Sequence, residues 1–196
     1  MKYHCDVKQK KILYQGFNQL LEFKFKFSKF DGTMSGEIAR ELFYRNHCVG
    51  LMPYDPIRQE IILIEQCRIG PLINNDHPWT LEIIAGIVDE DENKDSTIIR
   101  ESLEEANCEI QKLIPIYQYY MTPGCSNETM KLYCGLIDTS RKTTGEICGL
   151  PEEAEDIKVH VIRLKDAFDM LDTDKINNAS TIIALQWLKL NCLNLS

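Results

Sequence analysis

The chain lacks any apolar run near the roughly 18 residues that a membrane-spanning helix needs. Its first eight residues, Met1-Lys2-Tyr3-His4-Cys5-Asp6-Val7-Lys8, have no basic start leading into an apolar stretch, so no secretory leader is expected. Basic residues are scarce: 22 Lys and Arg stand against 30 Asp and Glu, for a formal net charge of −8. A nucleic-acid backbone calls for a basic face, so neither nucleic acid nor membrane is expected as a partner. Small phosphorylated substrates remain open, because a metal ion can neutralise their charge. Eight cysteines lie at positions 5, 48, 67, 108, 125, 134, 148 and 192, yet none forms a CxxC pair. Zinc-ligand spacing is therefore absent. Reduced, mostly buried thiols in a cytoplasmic protein are expected rather than four disulfides. The four histidines, His4, His47, His77 and His160, form no ligand pattern and are assigned surface or strand roles. There is no internal repeat, low-complexity tract or obvious linker.

What is present is an ordinary globular balance over 196 residues, 44% hydrophobic and 27% charged, which excludes disordered and fibrous classes. The first 45 residues read as strands. In Glu22-Phe23-Lys24-Phe25-Lys26-Phe27 the alternation puts the three phenylalanines on one face, and Asp31-Gly32 supplies a hairpin turn. Residues 36–45 fit either a short helix or a continued strand. Strands are expected at 47–52 and 60–66, separated by the turn Pro53-Tyr54-Asp55-Pro56, and again at 78–88. An acidic loop, 89–95, leads into a helix ending near Ala106 and capped by Asp95 or Ser96. Further strands are expected at 113–121, 130–137 and 157–162, with helices at 164–171 and 179–193. Ile183, Trp187 and Leu190 form one apolar stripe of the last helix, expected as a core or subunit contact. The polar stretch 139–156 is long for a loop in a compact domain, a length that goes with function or disorder.

The chemistry concentrates in residues 86–108. Glu101, Glu104 and Glu105 fall at i, i+3 and i+4, on one helix face. Like charges at that spacing cost about 0.2–0.5 kcal/mol per pair, and Glu92 can fold back to join them. Arg100 is one nearby cation; hard oxygen donors of this kind suit Mg²⁺ or Mn²⁺. Taken alone, the cluster reads more readily as a solvated Glu-rich helix than as a metal site. The complete pattern is glycine, five residues, glutamate, seven residues, then Arg-Glu-x-x-Glu-Glu, carried by Gly86, Glu92, Arg100, Glu101, Glu104 and Glu105. This resembles the Nudix box. Ser102 stands where the family has an aliphatic residue or alanine, and Asn107 where it has a glycine after the helix; neither change removes a carboxylate.

The resemblance extends over nearly the whole chain to the bacterial ADP-ribose diphosphatase subfamily. It is carried by Tyr14-Gln15-Gly16-Phe17, by residues 62–68 (ILIEQCR), 78–86, 122–128 (TPGCSNE), 155–161 and 176–190 (INNASTIIALQWLKL). It implies an α/β/α sandwich (α+β) with a mixed sheet, preceded by a small N-terminal antiparallel β subdomain. The implied division is 1–45 for dimerisation, strand-swapped, and 46–196 for the hydrolase domain. The implied metal ligands are Glu101, Glu105, Glu155 and the Ala85 carbonyl, holding Mg²⁺ with Mn²⁺ as a substitute. Glu153 matches the general base, and Glu104 the remaining catalytic carboxylate of the box. Implied substrate contacts are Phe17, Asn18, Arg40, Glu41, Arg45, Arg68, Ile87, Thr122, Pro123, Gly124 and Glu128. Without the resemblance Phe17 is equally an ordinary strand aromatic, Arg40 and Arg45 are surface cations, and 152–156 is a solvated acidic turn. The implied activity is hydrolysis of ADP-ribose to AMP and ribose 5-phosphate by a homodimer. The alternatives are a GDP-mannose or other nucleotide-sugar diphosphatase and, more remotely, a non-catalytic nucleotide-binding module.

Overall fold

The computed structural model describes residues 3–173 and 175–195. Met1 and Lys2, at the head of the expected 1–45 subdomain and leader-free start, lie outside the described residues. The chain divides into two compact units: residues up to His47 with Tyr119–Thr129, and Cys48–Gln118 with the residues from Met130 onward.

In the first unit three strands form an antiparallel meander: β1 (Cys5–Gln15), β2 (Gln19–Phe27) and β3 (Ile38–Tyr44), in the order β1-β2-β3. The Phe-Lys alternation builds β2, where Leu21 shares the phenylalanine face and is fully buried. Asp31-Gly32 does turn the chain. Gly32 takes φ +86°, and the Asp31 carboxylate accepts from the Thr33 backbone N–H at 2.9 Å. Residues 36–45, open between helix and strand, resolve as β3, paired along β2 from Gln19↔Tyr44 to Phe25↔Ile38.

The second unit is built on a mixed sheet. β4 (Cys48–Asp55) is buried along its whole length and pairs with β9 (Thr129–Leu136) in parallel and with β5 (Glu60–Cys67) and β7 (Ile84–Ile87) antiparallel. β11 (Ile157–Arg163) flanks β5, β10 (Ile147–Cys148) flanks β11, and β8 (Lys112–Tyr120) flanks β9. β6 (Trp79–Glu82) pairs with the far end of β5. The 78–88 stretch is therefore two strands rather than one: β6 follows β5, and β7 shifts to β4. Around the break, Ile83, Ile84 and Ala85 are all apolar, and such a run carries no mark of that change of partner. Nor does the chain turn at 53–56, since β4 runs through to Asp55. The turn comes just after, where the buried Asp55 accepts from the Ile57 and Arg58 N–H groups at 2.8 and 2.9 Å.

Helices cover the sheet. α2 (Lys94–Ala106) sends Ile98 and Ala106 into a core with Val49, Leu51, Ile62, Ile64, Ile84, Ile157 and Val159. α3 (Leu164–Met170) and α4 (Ala179–Asn191) follow β11. The buried face of α4 is Thr181, Ala184, Leu185 and Leu188, whereas Leu190 is 83% exposed. The expected stripe of Ile183, Trp187 and Leu190 lies beside this face, with Ile183 and Trp187 half-buried. Of the two readings, core or subunit contact, the core is therefore not its main partner; apolar residues on more than one side of a helix do not declare which face is buried. The short α1 (Ile69–Ile73) was not expected. All eight cysteines are free thiols, and no helix among the described residues is long and apolar enough to cross a membrane.

Candidate active site

α2 is started by Asn93, not by Asp95 or Ser96. The Asn93 side chain accepts from the backbone N–H groups of both of those residues, at 3.1 and 2.9 Å. The helix ends at Asn107, which takes the left-handed conformation (φ 46°) expected of the family's glycine. Its side-chain amide donates to Glu146 at 3.2 Å, and the Lys142 ammonium caps the carbonyls of Ala106 and Asn107. The other departure, Ser102, is fully buried with its hydroxyl within 2.9 Å of the Cys108 carbonyl. Both unusual residues are therefore absorbed locally.

Between these ends α2 lays its carboxylates against β7. Glu105 is 2% exposed and accepts from the Ala85 N–H at 2.9 Å. Burial pushes its pKa up to about 8; the Ala85 bond opposes this, while Glu101 and Glu155 add to it. Glu101 is pushed up to about 7, again by burial first, with Arg100 pulling the other way. A Cβ added to Gly86 would fall 2.0 Å from Glu101 Oε1, so the box glycine is the space that the Glu101 carboxylate occupies. Arg100 gathers the remaining charges: Glu101 at 3.0 Å, Glu104 at 2.7 Å and Glu92 at 3.0 Å. Glu92 is fixed further by the Thr97 hydroxyl at 2.9 Å.

The 139–156 stretch carries more structure than a loop. It contains β10 and a single 3-10 turn, Pro151–Glu153. The Gly149 N–H donates to the Glu104 carbonyl at 3.0 Å, tying the segment to α2. Glu153 closes the 3-10 turn and is exposed; Ala154 follows at φ 57°, and the Glu155 carboxylate accepts from the Leu150 N–H at 3.1 Å. Arg68, at the end of β5, makes a forked ion pair with Glu82, with Nη2 to Oε2 at 2.9 Å. Burial would lower its pKa, but Glu82, Glu105 and Glu155 outweigh that and raise it. Ile87 is the last residue of β7, opposite Cys48. The donor atoms at Glu101, Glu105, Glu155 and the Ala85 backbone are all oxygen, the set that suits Mg²⁺ or Mn²⁺. Among the described residues, no three His, Cys, Asp or Glu side chains converge as a ready-made cage. Arg100 and backbone N–H groups hold the carboxylates instead.

The other expected substrate contacts belong to the first unit. Phe17, 88% exposed, and Asn18 sit in the turn between β1 and β2. Arg40 and Glu41 are exposed on β3, with the Arg40 guanidinium donating to the Ala39 carbonyl at 2.8 Å. Arg45 pairs with Glu128 at 3.4 Å, and Asn127 bonds the Arg45 backbone through both amide atoms, at 2.9 and 2.7 Å. Thr122, Pro123 and Gly124 form a turn closed by the Cys125 and Ser126 N–H groups on the Thr122 carbonyl. Sequence reasoning missed Asn93, Asn127, Lys142 and the Glu82 partner of Arg68. Of these only Glu82 left a signal, in its alternation with Thr80 along one strand face.

No family model matches the chain. Over 190 residues it is 37% identical to an ADP-ribose pyrophosphatase of Escherichia coli strain K12, covering 97% of this chain and 90% of that protein. An ADP-ribose pyrophosphatase of Haemophilus influenzae is 38% identical over 182 residues, 91% of this chain and 83% of the relative. A GDP-mannose pyrophosphatase of Escherichia coli is 26% identical over 184 residues, 93% and 94% of the two chains. Among solved structures, the crystal structure of an ADP compounds hydrolase matches with a TM-score of 0.67 over 95% of each chain at 15% identity, a likeness of fold.

Proposed function

This chain belongs to the Nudix hydrolases, among the ADP-ribose pyrophosphatases, and from that premise we propose that it hydrolyses the diphosphate of ADP-ribose to AMP and ribose 5-phosphate. The family generally uses a divalent metal. For this chain the proposed ion is Mg²⁺, replaceable by Mn²⁺. The residues fit it: the donor set is all oxygen, and Gly86 leaves room for the Glu101 carboxylate against β7. The observation that carries the reading is this pair of carboxylates, Glu101 and Glu105, held against the backbone of β7 by one turn of α2.

Glu101, Glu105, Glu155 and the Ala85 carbonyl would hold the metal, whose chemistry is to polarise phosphoryl oxygens and to acidify a neighbouring water. Glu153, exposed at the end of its 3-10 turn, would take the proton of the attacking water. The Arg68 guanidinium would bind diphosphate oxygens and stabilise charge as it builds there. Glu104 would orient Arg100 and, through it, the box carboxylates. Phe17 offers a stacking face for adenine. Asn18, Arg40, Glu41, Arg45, Ile87, Thr122, Pro123, Gly124 and Glu128 complete the proposed contacts. The active form is proposed to be a cytoplasmic homodimer joined through residues 1–45, with 46–196 as the hydrolase domain.

The test is release of nucleoside monophosphate with Mg²⁺ from ADP-ribose, ADP-glucose, GDP-mannose and diadenosine diphosphate compounds. ADP-ribose is expected to give the highest kcat/KM. A lead for GDP-mannose would favour instead the second reading, which the 26% identical relative supports.

A further inference from the structure

Arg68 is the first residue beyond β5 and keeps extended backbone (φ −121°, ψ 132°), so it continues the alternation of that strand onto the face of Ile64 and Gln66. Ile64 packs in the core with α2, and β6 pairs Thr80 with Gln66 and Glu82 with Ile64. Thr80, Glu82 and Arg68 therefore share the sheet face that meets the carboxylate helix. The Arg68 N–H is itself fixed to the Pro78 carbonyl at 2.7 Å.

The side chains form a chain of donors. The Thr80 hydroxyl donates to Glu82 Oε1 at 2.5 Å. Arg68 Nε lies 3.2 and 3.3 Å from the two Glu82 oxygens, and Nη2 donates to Oε2 at 2.9 Å. Glu82 is the sheltered partner, its side chain 15% exposed against 45% for Arg68. One edge of the planar fork is thus held by protein. Among the described residues no protein group takes Nη1, and the arginine borders a cavity of about 460 Å³ also lined by Thr80, Glu82, Asn74, Asn177 and Asn178. A free arginine samples many rotamers. One clamped along its Nε edge presents its other edge in a fixed plane, as bidentate recognition of phosphoryl oxygens requires.

We propose that Glu82, itself oriented by Thr80, is a positioning residue that fixes the Arg68 guanidinium for the diphosphate of the substrate. This rests on the functional reading above. The price is that the Glu82 charge offsets part of the arginine's attraction for an anion; what is gained is orientation, and misplacement of a binding group by about 1 Å can cost about a hundredfold in rate.

The experiment is a double-mutant cycle on kcat/KM for ADP-ribose, joined to ¹⁵N NMR of the arginine Nε–H groups in the full chain. Glu82→Gln is expected to lower kcat/KM about tenfold or more. In an Arg68→Ala background the same change should add less than about twofold. Glu82→Asp, which keeps the charge, should recover part of the loss, and Thr80→Val should cause a smaller loss of the same kind. The Arg68 Nε–H signal, assigned by its disappearance in Arg68→Ala, should exchange slowly in the wild type and rapidly in Glu82→Gln. Independent, additive losses in the cycle, or an Nε–H signal unchanged by Glu82→Gln, would overturn the proposal. A wild-type chain inert towards ADP-ribose would sink the substrate reading instead, and the NMR arm would still decide the clamp.

Discussion

Glu101 and Glu105 leave the same helical turn but meet different restraints: Glu105 is held by the Ala85 N–H, Glu101 by the absence of a side chain at Gly86. Gly86→Ala should therefore act through Glu101. Its methyl would sit where the carboxylate lies, so turnover should fall about a hundredfold while circular dichroism stays unchanged. Glu101→Gln keeps the shape and removes the charge; kcat should drop by orders of magnitude in a folded protein, and near-normal turnover would refute the ligand assignment. Glu153→Gln should lower kcat far more than it changes KM, because the group is assigned to proton transfer; a pure KM effect would remove it as base. That Glu101, Glu104 and Glu105 share one helix face was legible because within a helix spacing fixes geometry. Arg68 was legible as a residue but not as a clamped one, since Glu82 reaches it across a strand pair.

At the scale of elements, the turn after β4 carries a prediction about pH. Burial would raise the Asp55 pKa, but the N–H groups of Thr139, Arg58 and Ile57 and the Thr139 hydroxyl outweigh it and hold the carboxyl below its ordinary value. A folded-state pKa below the unfolded one means that the stabilisation is complete above the unfolded value, about 4, and is lost as pH falls through the folded value. Asp55→Ala should lower stability by about 3 kcal/mol at neutral pH, with the deficit shrinking in acid, read by urea unfolding at several pH values. Asn93→Ala should cost about 1 kcal/mol through loss of the α2 cap. Alternation and turn residues made most strands readable. The break between β6 and β7 and the buried face of α4 were not readable, because apolar runs name neither a strand's partner nor a helix's inward side. Asn93 was passed over because Asp95 and Ser96 are also good caps, and only the backbone decides which residue is the last extended one.

For the molecule as a whole, the fold class and mixed sheet were legible through the family resemblance, whereas the unit boundaries are set by contacts between distant segments. Asn127 and Glu128 bind Arg45 from far along the sequence, and Tyr119–Thr129 groups with the N-terminal strands. No local pattern announces such an association. On the N-terminal sheet Val7 and Ile12, opposite Phe25 and Leu21 on one face, are 55% and 51% exposed, an apolar surface that supports the proposed homodimer. Sedimentation should give twice the chain mass, and Val7→Lys with Ile12→Lys should give single chains; a monomeric wild type would contradict it. The most direct measurement is titration of Mn²⁺, followed by electron paramagnetic resonance, into the wild type, Glu101→Gln and Glu105→Gln with a non-hydrolysable ADP-ribose analogue present. Tight binding in the wild type and its loss in both variants is the predicted result; equal binding in all three proteins would contradict the account.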